Sequence, residues 1–330
     1  MDKRKGIKII GTGSFIPEKI ITNADLEKMV DTTDEWITQR TGIKERHIVE
    51  PGVPTSDIAV EASKKAIKDA GIDPQEVDLI IVATATPDMF FPSTACVVQK
   101  KLGIKSNPVS FDIFAACSGF LYALGIAKNM LECGQYKTAL VIGAETLSKV
   151  TNWKDRGTCI LFGDGAGAML IRATDEETNI LSITLGANGS YTDILEIPAG
   201  GSRYPATLET IEQGLHYIRM DGKEVFKHAV ISMLKATNKA LDMCNKKIED
   251  IALLIPHQAN MRIIEALGER LKLPREKIFV NLHKYGNLSA ATTIVALDEA
   301  RKQGLVKEGD LVELVAFGSG LTWGAGVVRL

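Results

Sequence analysis

The chain has 330 residues, 45% of them apolar and 24% charged, a balance that suits one large globular domain or two half-sized ones. The formal net charge is -2, which excludes a global basic field for nucleic acid and leaves anion recognition to local sites. Residues 1–8 are basic, but the apolar run at 7–10 is broken by Lys8 and stopped by Gly11, too short for a signal peptide. No uncharged stretch reaches the ~20 apolar residues of a membrane span, so the expectation is a soluble, cytoplasmic protein with no membrane contact.

The first glycine motif, GTG at 11–13, follows a strand pattern. Phe15, Ile16 and Pro17 come next instead of a helix, which fails the dinucleotide-binding context. TTDE at 32–35 is a capping-box start for a short helix ending near Gly42. Trp36 and Arg40 are four apart and share a face of it. A flat aromatic beside a guanidinium suits a nucleotide base and its phosphates, and an ordinary surface Trp–Arg pair has the same spacing.

Further along, apolar β-rich runs alternate with helical patterns, which predicts α/β architecture. Strands are predicted at 77–83, 109–114, 139–143, 251–255 and 311–317, and helices at 56–70, 118–133, 223–243, 261–271 and 289–303. Nearly continuous apolar runs suit strands covered on both faces. GDGAG at 163–167 reads as a tight connection between strands at 160–162 and 168–171. GSG at 318–320 and GAG at 324–326 flank Trp323, where backbone N–H groups could approach a substrate. No metal-ligand spacing is present.

Five cysteines without a CxxC pair predict neither a disulfide framework nor a zinc site. Cys96, Cys133, Cys159 and Cys244 suit small packed positions. Cys117 differs: a strand ends at Phe114, small residues surround the thiol, and a helix follows at once. A thiol at a helix N-terminus meets positive dipole and free N–H groups, so its pKa should fall and it becomes a candidate nucleophile.

Two internal matches run in the same order. At an offset of 174, ASKKA at 62–66 and LII at 79–81 correspond to ATNKA at 236–240 and LLI at 253–255. At an offset of 170, residues 111–134 correspond to 281–304, with Gly134 and Gly304 as helix C-terminal glycines. Chance likeness of amphipathic segments is the alternative to a duplicated α/β unit. With duplication, Cys117 corresponds to Asn287, and His257 falls where the first half carries Ala83. A pseudo-twofold axis would bring these three to one site at the carboxyl ends of strands. Taken singly, His257 reads equally as a structural hydrogen-bonder and Asn287 as a helix cap. His47, His216, His228 and His283 have no comparable placement.

Together the motifs GTGS (11–14), DEWI (34–37), RTGI (40–43), ACSG (116–119), DRGT (155–158), FGDGAG (162–167), PHQAN (256–260), GNLSAA (286–291) and TWG (322–324) span nearly the whole chain. They resemble the β-ketoacyl-acyl-carrier-protein synthase III family, the initiating condensing enzymes of type II fatty-acid synthesis in the thiolase-like superfamily. The resemblance implies a five-layer α-β-α-β-α sandwich of two duplicated halves, residues 1–175 and 176–330. It implies a Cys117–His257–Asn287 site: an acyl-CoA primer acylates Cys117, and malonyl-carrier protein is then decarboxylated and attacks the acyl-cysteine in a ping-pong scheme. No cofactor is implied, since CoA and acyl carrier protein bring the thioester substrates.

By the same resemblance Trp36 and Arg156 sandwich the CoA adenine, with Thr32, Arg40 and Asn260 along the nucleotide. Lys227 and Arg262 face the acidic carrier protein, and Phe91 and Phe317 shape the acyl pocket and decarboxylation site. Members of the family are homodimers. Ser319 stands where many members carry a third glycine of a run, its N–H still able to serve an oxyanion hole beside that of Cys117, and Leu321 stands where many carry Phe. Thiolases carry a second catalytic cysteine near the C-terminus, but no cysteine follows Cys244. Elongating synthases use two histidines where this chain has His257 and Asn287. Polyketide and alkylquinolone starter enzymes share Cys–His–Asn and are the nearest alternative. A Cys–His–Asn thioester hydrolase and a non-catalytic carrier-binding scaffold are more distant ones.

Overall fold

The computed structural model describes residues 5–330; Met1–Arg4, half of the basic N-terminus, lie outside the described residues. One sheet contains β1 (Gly6–Phe15), β2 (Leu79–Ala83), β3 (Val109–Ile113), β4 (Thr138–Thr146) and β5 (Asp164–Thr174) in the order β1-β5-β4-β2-β3. The second contains β6 (Ile180–Ala187), β7 (Leu253–Pro256), β8 (Leu311–Gly318) and β9 (Thr322–Arg329) in the order β7-β8-β9-β6. β2 pairs in parallel with β3 and β4, and β7 with β8, whereas β5 pairs antiparallel with β1 and β4, and β9 with β6 and β8.

Helices make the other three layers. α1 (Asp34–Thr41) packs against the helix at 261–271. α2 (Thr55–Ala70) and α3 (Thr94–Leu102) cover the outer face of the first sheet. α4 (Gly119–Glu132) and α7 (Thr292–Lys302) lie between the sheets and touch both. α5 (Gly222–Met243) and α6 (Met261–Leu271) cover the second. The central layer is deeply buried: Phe120, Leu121, Leu124, Ile294 and Leu297 have no exposed surface. The five layers and two-fold repetition expected from the sequence are both present, with element ends within a few residues of those predicted.

The duplication runs deeper than the sequence matches. 3₁₀ turns at Pro74–Glu76 and Ile248–Asp250 precede β2 and β7 at the same offset of 174. β1, β5, β4 and β2 correspond in sheet order to β6, β9, β8 and β7, while the counterpart of β3 survives only as a bridge between Leu254 and Ile278. The offset of 170 needs correction. Ala116 and Ser289 both adopt a left-handed φ, 44° and 46°, and each opens a 3₁₀ turn, Ala116–Ser118 and Ser289–Ala291, that leads into α4 and α7. Backbone geometry therefore matches 116 with 289, an offset of 173, and the counterpart of Cys117 is Ala290, not Asn287. α4 has 14 residues and α7 has 11, so aligning their C-terminal glycines moves the register by three.

Two glycine motifs gain a packing role. A Cβ on Gly13 would lie 2.4 Å from Ala66 N, so GTG lets α2 settle on β1. GDGAG is no interstrand turn: residues 160–162 are not a strand, and Asp164 already begins β5. A Cβ on Gly163 would lie 2.3 Å from Tyr285 O, and one on Gly167 2.5 Å from Ile294 Cγ2. These glycines admit the 285–294 segment of the second half against the first, which is how Asn287 reaches the site.

Candidate active site

Cys117 sits in the 3₁₀ turn between β3 and α4 and is 9% exposed. A Cβ on Gly119 would lie 3.1 Å from Ala83 Cβ, so glycine lets the helix start close over β2. From the other half, a Cβ on Gly318 would lie 2.7 Å from Cys117 N. The expected fall in thiol pKa is not what this environment produces. Burial pushes the Cys117 thiol up to about 12; a hydrogen bond with the Ser289 side chain opposes the rise and the nearby Glu145 carboxylate adds to it. The small surrounding residues that permit substrate approach also remove the solvent that would support a thiolate.

His257 follows β7, its N–H donating to Val315 O at 2.7 Å. It is 5% exposed, and burial takes its pKa down to about 4, so the imidazole is neutral near pH 7. Nδ1 has no hydrogen-bond partner among the described residues. The adjacent Gln258, which sequence reasoning passed over, pins this loop: its Nε2 donates to Pro256 O and Phe279 O, and its Oε1 accepts from Asn281 N.

Asn287 is held by its backbone, its N–H donating to Leu161 O at 2.8 Å and its carbonyl accepting from Gly163 N at 3.1 Å. Its Oδ1 accepts from Ser289 N at 2.8 Å, which leaves the side-chain NH₂ as the group free to donate.

Cys117, His257 and Asn287 line a single cavity of about 550 Å³. Trp36, Arg40, Asn260, Arg262 and Phe317 line the same cavity. Arg40 and Arg156 place their guanidinium carbons 4.7 and 4.8 Å from the Trp36 ring centroid. The sequence-expected Trp36–Arg156 sandwich is thus closed on itself. Asn260 caps α6 through Arg262 N and donates to Arg40 O at 3.1 Å, tying the two regions together.

Other expected residues stand outside the cavity wall. Thr32 is not on it, and its Oγ1 is buried without a partner among the described residues. Lys227 lies on the exposed side of α5, 3.7 Å from Glu224. Phe91 is 86% exposed and does not reach the cavity of its own chain. Ser319 has no left-handed φ, and its hydroxyl donates to Leu195 O, so it replaces glycine without backbone strain. Leu321 is buried in the core beneath the second sheet.

Sequence reasoning also missed Glu145, which is fully buried in β4 behind Cys117. Its oxygens accept from Thr86 Oγ1 at 2.6 Å, Ala85 N at 3.1 Å and Thr84 Oγ1 at 3.3 Å, and the Ser289 side chain and Ala290 N–H also favour its ionised form. The one available signal was a carboxylate inside an otherwise apolar strand.

Known proteins resemble this chain over nearly its whole length. The family described as 3-Oxoacyl-[acyl-carrier-protein (ACP)] synthase III matches residues 111–189, and the C-terminal family of the same enzyme matches 241–330. The β-ketoacyl-[acyl-carrier-protein] synthase III of Caldanaerobacter subterraneus subsp. tengcongensis is 58% identical, covering 97% of each chain. The crystal structure of 3-oxoacyl-[acyl-carrier-protein] synthase III from Aquifex aeolicus superposes with a TM-score of 0.91 at 50% identity, over 98% of this chain and 100% of that one. The priming β-ketosynthase of the R1128 polyketide pathway superposes at 0.92 with 33% identity, over 100% and 98%. With near-complete coverage at such identity and the same fold throughout, the chain belongs to the β-ketoacyl-[acyl-carrier-protein] synthase III family.

Proposed function

We propose that this chain joins an acyl-CoA primer to malonyl-acyl carrier protein with loss of CO2, giving a β-ketoacyl-acyl carrier protein and starting fatty-acid synthesis. The observation that carries the reading is one cavity with a buried cysteine at its base and an aromatic–guanidinium cluster on its wall. Cys117 takes the acyl group from CoA. N–H groups of Cys117 and Ser319 stabilise the oxyanion of that step. A thiol pushed up to about 12 cannot stand ionised at neutral pH, so its proton leaves as sulfur attacks.

In the second stage His257 and the NH₂ of Asn287 donate to the thioester oxygen of the malonyl group and stabilise the enolate left by CO2. A neutral imidazole suits that task, because it donates without drawing the malonyl carboxylate into an ion pair that would stabilise the ground state. Trp36 stacks the adenine. Arg156, half exposed and held by Asp31 O at 2.9 Å, swings aside to admit it, while Thr32, Arg40 and Asn260 follow the nucleotide. Lys227 and Arg262 meet the acidic carrier protein.

The same reading treats CoA and the carrier as substrates, needs no cofactor, divides the chain into halves 1–175 and 176–330, and locates the enzyme in the cytoplasm; no helix among the described residues is long and apolar enough to cross a membrane. It also makes the protein a homodimer. β3 is an edge strand, and Met89, Phe90, Phe91 and Phe114 expose apolar surface nearby. Phe91 can shape an acyl pocket only across such an interface, and Phe317 shapes it from within.

A polyketide starter role rests on the likeness to the R1128 ketosynthase, and higher identity at equal coverage favours the fatty-acid reading. Intact-protein mass spectrometry after mixing with a panel of acyl-CoA primers tests it. One acyl adduct, mapped to Cys117, is expected. No adduct with any acyl-CoA would remove the initiating role.

A further inference from the structure

Glu145 has no part in the chemistry above, yet it is fully buried within reach of the nucleophile's surroundings. β4 carries it, and Gly143 two residues earlier lets the Ser289–Ala291 turn lie directly on that strand, since a Cβ there would come 2.4 Å from Ala290 O. That turn also packs against the turn of Cys117. Ser289 thereby stands between Cys117 and Glu145, and its side chain favours the ionised form of each.

We propose that Glu145, acting through Ser289, takes up the proton that Cys117 gives up on acylation and returns it when condensation frees the sulfur. The inference deepens the reading of Cys117 as acyl acceptor and rests on it.

The argument is one of charge in a closed space. Around Glu145 stand the hydroxyls of Thr84, Thr86 and Ser289, the N–H groups of Ala85 and Ala290, and the Cys117 thiol; none carries positive charge. A thiolate beside an ionised Glu145 would bury two negative charges with no cation between them. Moving the proton from Sγ to Ser289 Oγ, and the serine proton to the carboxylate, keeps the buried charge at minus one. Burial moves Glu145 up to about 7, so it can accept or hold a proton near neutral pH. His257, held down at about 4 and lacking a carboxylate partner, is a poorer acceptor.

The step balances. Sulfur forms a bond to the acyl carbon, the carbon–sulfur bond to CoA breaks, and CoA departs as a thiolate protonated by solvent. The Cys117 proton stays on Glu145 while the neutral acyl-cysteine waits. After the malonyl enolate attacks, Cys117 leaves as a thiolate and recovers that proton, and the enzyme returns to its starting state. Glu145 is a positioning residue in this scheme, since it touches no substrate.

The test is the pH profile of Cys117 alkylation by iodoacetamide between pH 5.5 and 9.5, run beside acylation by acetyl-CoA, for the parent, Glu145→Gln and Ser289→Ala. The parent rate should rise through a step near pH 7 and level off. Both variants should lose the step and climb continuously with pH, with alkylation at pH 7.5 about 100-fold slower. Ser289→Ala leaves the Thr86 and Ala85 bonds to Glu145 in place, so it reports the link even if Glu145→Gln folds poorly. A parent-like step in Ser289→Ala, or in folded Glu145→Gln, overturns the inference. The alkylation arm needs no thioester, so failure of every acyl-CoA with a shifted alkylation profile would sink the substrate assignment and leave the proton path standing.

Discussion

Gly143 and Ala290 meet through bare backbone: nothing larger than hydrogen fits between the Gly143 Cα and the Ala290 carbonyl. This contact joins the first sheet to the turn that bears Ser289, and it sets the depth at which the second half enters the site. Gly143→Ala should cost about 1–3 kcal/mol in urea unfolding, the usual cost of overpacking, and should lower condensation by displacing the turn. Gly189→Ala, with open space around the new methyl, should stay within ~0.5 kcal/mol of the parent.

The two halves contribute separable chemistry. Cys117→Ala should still release CO2 from malonyl-carrier protein, because His257 and Asn287 remain. His257→Ala should slow that release by about 100–1,000-fold, the usual cost of losing one oxyanion donor. Radiolabelled CO2 release reads both, and the reverse pattern would reject the division of labour.

Trp36 provides an aromatic face with two guanidinium groups over it. Trp36→Ala should raise KM for acyl-CoA by about 10-fold, as stacking on a base is worth roughly 1–3 kcal/mol. Acyl-pantetheine, which has no adenine, should be used equally well by parent and variant. An equal loss with both donors would place the adenine elsewhere.

The carrier-binding proposal is electrostatic. Lys227→Glu and Arg262→Glu should raise KM for malonyl-carrier protein and flatten its dependence on salt. Lys227→Glu, being off the cavity wall, should leave self-acylation by acyl-CoA within about 2-fold of the parent.

Glu313 in β8 is fully buried, and neither carboxylate oxygen has a hydrogen-bond partner among the described residues. Burial raises its pKa well above the ordinary range, so the folded chain keeps a proton that the unfolded chain releases near pH 4. The unfolded state then binds fewer protons, and stability declines as pH rises above about 4, at up to about 1.4 kcal/mol per pH unit. Glu313→Gln should flatten this slope between pH 5 and 8 in denaturant titrations. An unchanged slope would mean that Glu313 finds a partner in solution.

Much of the architecture was legible because burial leaves a local mark. Strands covered on both faces read as apolar runs, and α2 and α5 keep the ASKKA and ATNKA signatures at one offset. The three site residues were found partly through a match that the backbone moves by three positions: Cys117 pairs with Ala290. The residues point to one cavity all the same, since Asn287 lies just before the turn equivalent to that of Cys117. The thiol's raised pKa was not legible, because a helix end is visible in sequence and desolvation is not. Glu145, Gln258 and the packing role of GDGAG depend on segments more than 100 residues away for two of the three, which no local pattern records. Phe91 reads as part of a pocket and stands in solvent within its own chain.

The paired turns at Ala116 and Ser289 bear on how this molecule could change by descent. One pedestal of the same shape stands in each half, and only one of the two holds a nucleophile. Ala290, on the other, has its carbonyl against Gly143 and its methyl towards Gly119, whose added Cβ would lie 3.5 Å from it. A sulfur placed there would start from a fully buried position, turned towards the helix that seats the first. Duplication here made one catalyst and its supporting wall, and inheritance has little room to reverse the roles.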